Sequence, residues 1–254
     1  MSISANNNSG FLGNIPIVTR NILIINVIIW FATYIFEARG IDLSRILGLH
    51  YWKAEGFHFY QIITYMFTHA GFTHLFFNMF AVFMFGSLLE RVWGPKRYLT
   101  YYLVTGLGAA LIQLLVIHFR IMQVAADLTP LQIQDVYNNG LAIWKSGRNF
   151  IGAADNLNLL VNTVIVGASG SVFGLLLAFG MLFPNAPLYI MFIPIPIKAK
   201  YLVIGYGLLE LYSGFANHVG DNVAHFAHLG GMLFGIFMIL YWKKKGIGSG
   251  TTYF

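Results

Sequence analysis

The chain has no cysteine among its 254 residues. Disulfides, thiolate metal sites and cysteine nucleophiles are therefore excluded. Charge is scarce as well: Asp, Glu, Lys and Arg make up only 9% of the residues, against about 25% in soluble domains. Hydrophobic residues make up 57%. This balance leaves no separate soluble domain of any size and predicts a polytopic membrane protein. The net charge of +6 is not gathered into a basic stripe with interleaved aromatics, so nucleic acid is not an expected partner. Residues 1–17 are polar and uncharged. They lack the basic start and short apolar core of a signal peptide, so the first span is expected to be retained.

What the chain does have is long apolar runs. A spanning helix needs about 20 mostly apolar residues, and six runs qualify as spans: residues 20–36, 73–89, 98–118, 169–183, 199–214 and 222–242. The expected fold class is an all-α polytopic membrane protein, a bundle of six transmembrane helices. Residues 1–19 would be an N-terminal tail, 20–245 the helical domain and 246–254 a C-terminal tail. An even number of spans puts both termini on one side. The loops on that side hold nine basic residues and one acid, Glu90, whereas the opposite loops hold six basic residues and seven acids. By the positive-inside rule both termini are cytoplasmic, with a bacterial inner membrane as the expected location.

Two segments on the outer side are long. Residues 39–72 hold Tyr51, Trp52, Phe57, Phe59 and Tyr60, an amphipathic mixture suited to the headgroup layer. Residues 121–160 carry a helix start: Thr129 as cap, Pro130 at the first position and Gln132 completing a capping box. Ile133, Val136, Tyr137 and Trp144 then share one face of a helix lying on the outer surface.

Polar groups inside spans are costly, so each is a candidate for function. Gly167-Ala168-Ser169-Gly170 opens the fourth run, which Pro184 stops after 15 residues. Such a helix is about 22 Å long against about 30 Å of hydrocarbon, so Ser169 is expected below the outer surface, on the floor of a wet cavity. Gly167 permits a sharp turn, and the free N–H groups at a helix start suit an oxyanion. Gly170 and Gly174 also read as a GxxxG packing motif. His228 lies in Ala227-His228-Leu229-Gly230-Gly231, with Gly235 completing a second GxxxG. If this helix packs on the fourth, Ser169 and His228 form a nucleophile–base pair. His225, three residues earlier, is a competing base. His74 and Asn78 lie four apart on one helix face, where they either glue helices together or hold an oxyanion. A zinc site built from His69, His74, His225 and His228 is the weaker alternative, since no HExxH and no carboxylate accompanies them. Neither a metal nor another cofactor is expected. Glu210, inside the fifth run, reads as a structural partner or a proton-linked group.

The motifs His74-Leu-Phe-Phe-Asn78, Gly167-Ala-Ser169-Gly170 and Ala227-His228-Leu-Gly-Gly231 with Gly235 resemble those of the rhomboid family of intramembrane serine proteases. Residues 65–74 and 86–91 also look like that family's second span and cytoplasmic turn, and the resemblance covers residues 61–245. It implies a Ser–His dyad without a third carboxylate. Ser169 would be the nucleophile and His228 the base, with an oxyanion hole from the Ser169 N–H, His74 and Asn78. Gly167, Gly170, Gly231 and Gly235 would support the close packing. Phe173 stands where many relatives carry a tyrosine that stacks on the catalytic histidine. A tryptophan-arginine pair found in some relatives' first outer loop is absent. The implied partners are the lipid bilayer and single-pass transmembrane proteins, cut within or near their spans. The fifth span and residues 215–221, with His218, are the expected gate. Two alternatives remain at this point: an inactive rhomboid-like binder of membrane helices, and a transporter using His and Glu210.

Overall fold

Apolar runs bounded by charge, glycine or proline become helices here, because a backbone in lipid must satisfy its hydrogen bonds internally. The computed structural model describes residues 11–189, 195–216 and 224–246. After a short 3-10 turn, Phe11–Asn14, comes α1, Ile17–Glu37. Two short helices follow on the outer side: α2, Leu43–Leu47, then α3, Gln61–Thr64, which continues into a 3-10 turn. The second span runs unbroken from Phe72 to Trp93, as α4, Phe72–Ala81, a π turn over Val82–Gly86, and α5, Ser87–Trp93. Gly94, at φ 79°, then reverses the chain, and Pro95 starts α6, Pro95–Ala125. A positive-φ glycine after one helix and a proline at the first position of the next is the expected stop-and-start pair. The outer helices α7, Pro130–Lys145, and α8, Ala153–Asn162, precede α9, Ser169–Leu182. Strands β1, Pro187–Tyr189, and β2, Pro196–Lys198, pair antiparallel before α10, Ala199–Ala216, and α11, His225–Lys244.

Four of these helices are long and apolar enough to cross a membrane: Ile17–Glu37, Phe72–Trp93, Pro95–Ala125 and His225–Lys244. The shorter α9 and α10 complete the bundle, and the chain is an all-α polytopic membrane protein. Large apolar side chains on the outer faces of α1, α4, α10 and α11, such as Ile28, Phe76, Leu208 and Phe237, are exposed. These faces suit lipid.

At the centre α6, α9 and α11 pack backbone to backbone. A methyl group at Gly231 would run into the carbonyl of Gly170, one at Gly170 into Ala109, and one at Gly235 into the Tyr101 hydroxyl. Small-residue faces allow this approach in lipid, where dispersion replaces the hydrophobic effect as the force between helices. Below them lies an inner core around Tyr98, Tyr101, Tyr102 and Leu175. An outer core around Leu49, Tyr51, Met66, Val136 and Leu157 lies above.

The outer side departs from expectation in two ways. Helix α6 continues to Ala125, so the outer segment begins about five residues later than residue 121. Hydrogen bonding along a helix does not stop at a bilayer boundary. Tyr51 is not in a headgroup layer but is buried, its hydroxyl 2.8 Å from His118 Nδ1. Its neighbours Phe59 and Tyr60 are exposed. Helix α7 starts with the capping box of Thr129 and Gln132, and Val136 is its buried centre. Asn222, the expected start of the sixth span, lies outside the described residues.

Candidate active site

Ser169 is held by the strand of chain that precedes it. Leu49 and Ile165 exchange backbone hydrogen bonds of 2.8 and 2.9 Å, and the Gly167 N–H donates to the Tyr65 carbonyl at 2.9 Å. Gly167 has φ 125°, where only glycine is unstrained, and a methyl there would lie 2.7 Å from His74 Nε2. Glycine at this turn therefore lets the His74 ring approach the Ser169 region. Ser169 then opens α9, so its N–H precedes the first helical carbonyl able to accept it.

The contact between Gly170 and Gly231 brings α11 against that helix start. His228 Nε2 lies 2.8 Å from Ser169 Oγ, within the range for a serine O–H donating to an imidazole nitrogen. The His228 ring stacks on Phe173, one turn along α9, with centroids 4.2 Å apart and planes 7° off parallel. Such a stack contributes about 0.5–1.5 kcal/mol and fixes the ring plane. A serine and a neutral imidazole arranged in this way can transfer a proton as the serine attacks a carbonyl.

The other candidates fall into place unequally. Asn78 is buried, and its side-chain amide donates to the His74 carbonyl at 3.0 Å, one turn back on its own helix. His74 packs edge-on against His69, with centroids 4.9 Å apart. The zinc set from sequence is split in two, since His69 and His74 lie on the α4 side and His225 and His228 on α11. His225 meets the carboxylate rather than the serine: its Nδ1 is hydrogen-bonded to Glu210 Oε2 at 2.6 Å. His228 Nδ1 lies 2.9 Å from the same oxygen. That contact has ion-pair length, but the N–H is not aimed at the carboxylate, so Nδ1 makes no aligned hydrogen bond. Glu210, His225 and His228 present ligand atoms within 4.8 Å of one another. This cluster corrects the expectation that no carboxylate attends the histidine. The sequence held a signal for it, since an acid within an apolar run needs a partner. Of the expected gate, Phe215 packs edge-on against Phe226. Residues 217–221, with His218, lie outside the described residues.

The family model described as Rhomboid domain matches residues 56–245, well over half of the chain. The chain belongs to the rhomboid family. Rhomboids are in general intramembrane serine proteases, and this member of the family is an integral membrane protein. It is 34% identical over 109 residues to the putative rhomboid protease YdcA of Bacillus subtilis (strain 168), covering 42% of this chain and 53% of that one. It is 27% identical over 216 residues to RHOMBOID-like protein 12, mitochondrial, of Arabidopsis thaliana, covering 84% of this chain and 55% of the relative. With Rhomboid-like protein 11, chloroplastic, of Arabidopsis thaliana it shares 35% identity over 106 residues, 42% of this chain and 36% of the relative. The chain thus spans about half the length of these relatives or less.

Proposed function

We propose that this rhomboid is an active intramembrane serine endopeptidase that cleaves the transmembrane segments of single-pass membrane proteins. The observation that carries this reading is the 2.8 Å approach of His228 Nε2 to Ser169 Oγ, on a ring held flat by Phe173. Ser169 is the nucleophile. Its Oγ attacks the scissile carbonyl carbon, and its proton passes to His228, which later returns it to the leaving amine. The carbonyl oxygen becomes an oxyanion beside the Ser169 N–H and the side chains of His74 and Asn78. One N–H of the Asn78 amide serves the His74 carbonyl, which leaves its second N–H for the oxyanion. Gly167, Gly170, Gly231 and Gly235 support the site by permitting the close backbone approaches.

The protease domain spans residues 20–245, and the outer insertion carries α7 and α8. Both termini face the cytoplasm of a bacterial cell, a reading supported by the basic residues at the inner ends of the spans, among them Lys243 and Lys244 in the last turn of α11. A helical substrate hides its carbonyls in its own hydrogen bonds, so helix-weakening residues are expected near the cut.

The test uses the purified protein in liposomes with a fluorogenic transmembrane peptide. Wild type should cleave, while Ser169→Ala and His228→Ala, folded by melting temperature, should not. Cleavage surviving in Ser169→Ala would remove the nucleophile. No turnover by wild type, together with no phosphonate labelling of Ser169, would favour a non-catalytic binder of membrane helices.

A further inference from the structure

An isolated carboxylate within an apolar helix is costly unless charge or hydrogen bonds compensate it. Glu210 is compensated from one direction, by the two imidazoles in the first turn of α11. Its Oε2 accepts from His225 Nδ1 at 2.6 Å and lies 2.9 Å from His228 Nδ1. The three side chains are only 13%, 14% and 9% exposed, in the order Glu210, His225, His228. The opposite nitrogen of His228 is the one that meets Ser169.

We propose that Glu210 is a positioning residue for His228. When Nε2 accepts the serine O–H, the single proton of the neutral ring sits on Nδ1. A carboxylate 2.9 Å from Nδ1 favours that tautomer over its mirror, in which Nε2 would carry the proton and could not act as a base. The attraction is Coulombic and does not need the N–H to be aimed. During attack the Ser169 proton moves to Nε2 as the Oγ–C bond forms and the carbonyl π electrons move to oxygen. The ring becomes an imidazolium, and Glu210 stabilises its charge while the Nδ1 proton stays where it is. That proton on Nε2 then passes to the leaving nitrogen as the C–N bond breaks. Water then attacks the acyl-serine, giving its proton to Nε2, and His228 returns that proton to Oγ as the Oγ–C bond breaks; Glu210 is not protonated in either half of the cycle. His225 shares the carboxylate and draws Oε2 toward itself, so it sets how much of the charge His228 feels. The donor spacing fits a hydrogen-bonded cluster better than a metal centre: ligands about 2.0 Å from a tetrahedral zinc stand roughly 3.3 Å apart, wider than the 2.6 and 2.9 Å here.

This inference rests on the protease reading, and one experiment separates their failures. Wild type, Ser169→Ala, Glu210→Gln, Glu210→Asp and His225→Phe are assayed in liposomes with the transmembrane peptide. Glu210→Gln should lower kcat at least about tenfold with KM nearly unchanged. Glu210→Asp should recover part of that loss, and His225→Phe should lose less than Glu210→Gln. Wild-type kcat in Glu210→Gln, with Ser169→Ala inactive, would overturn the role of Glu210 and leave the dyad standing. Residual cleavage in Ser169→Ala would instead break the protease reading. Equal losses in Glu210→Gln and His225→Phe, each matched by lower thermal stability, would reduce Glu210 to a helix latch and overturn the proposal. Should Glu210→Gln not fold, Glu210→Asp decides: a lower kcat at constant KM supports the role, and wild-type kcat overturns it. Loss of wild-type activity on chelation would also overturn it, in favour of a metal site.

Discussion

Helices α9 and α10 both reach the His228 ring, and they are held in different ways. In α9, 11 of 14 residues are buried, and glycine faces bring its backbone against α6 and α11. In α10 only Ala199, Val203 and Gly214 of 18 residues are buried. It is tied by side chains: Val203 under Gly180, Glu210 to His225, and the Arg120 guanidinium on the Gly214 carbonyl at 2.9 Å. Backbone contact leaves no adjustable part, so α9 fixes where Ser169 stands. Side-chain ties can be released singly, so α10 can loosen without disturbing the serine.

The sharpest way to break this comparison is Gly231→Ala. The added methyl meets a backbone carbonyl that cannot rotate away, and overpacking of this kind costs about 1–3 kcal/mol or more. Cleavage should be lost and the melting temperature lowered; near-normal activity would show that the α9–α11 contact is softer than its geometry. Next in size is Phe173→Ala, which removes the stacked face beneath His228 and should lower kcat severalfold, while Phe173→Tyr keeps it and should stay near wild type. Equal activity of Ala and Tyr at this position would make the stack irrelevant to catalysis. A smaller effect is expected from Arg120→Gln, which frees the outer end of α10 and should raise cleavage of a transmembrane peptide. Unchanged or lower turnover in a correctly folded variant would remove α10 as the moving part.

The smallest effect concerns the outer deck that anchors Gly167. His50 is buried beside the Leu49–Ile165 bridge with Nε2 2.8 Å from the Arg45 carbonyl, and its burial lowers its pKa below the ordinary value. The unfolded ring binds a proton first, so this contribution is complete above about pH 6.5 and is lost as pH falls toward the folded value. Protection of the Leu49 and Ile165 amides, taken relative to their intrinsic exchange at each pH, should fall between pH 7.5 and 5 in wild type and less in His50→Asn. Identical profiles would clear His50 of any part.

Much of this arrangement is legible in the chain before folding. Apolar runs end at charges, at Gly94-Pro95 and near Pro184, so spans can be read to within a few residues. The Thr129–Gln132 capping box can be read directly, because both of its partners lie within one turn. Motifs on separate helices can be read only because a family resemblance binds them. Neighbourhood is what periodicity does not supply. Nothing in the order of residues says that α10 turns Glu210 toward α11, or that Tyr51 leaves the surface to meet His118. The same holds for Asn78, which matches its motif while its amide serves the carbonyl of its own helix.

Glu90 is the lone acid among the basic residues at the inner ends of the spans. Its carboxylate accepts from the Val18 and Thr19 N–H groups at 2.9 and 2.7 Å and from the Thr19 hydroxyl at 2.8 Å, clamping the foot of α1 to the middle of α5. The buried residues of α1 are Thr19, Ile22 and Asn26, all in its first ten positions. Above them the helix borders a cleft lined by Trp30, Tyr34, Leu43 and His69. The first span is thus a post set firmly at its base with an open flank at its top, and any sway of that post turns about residue 90.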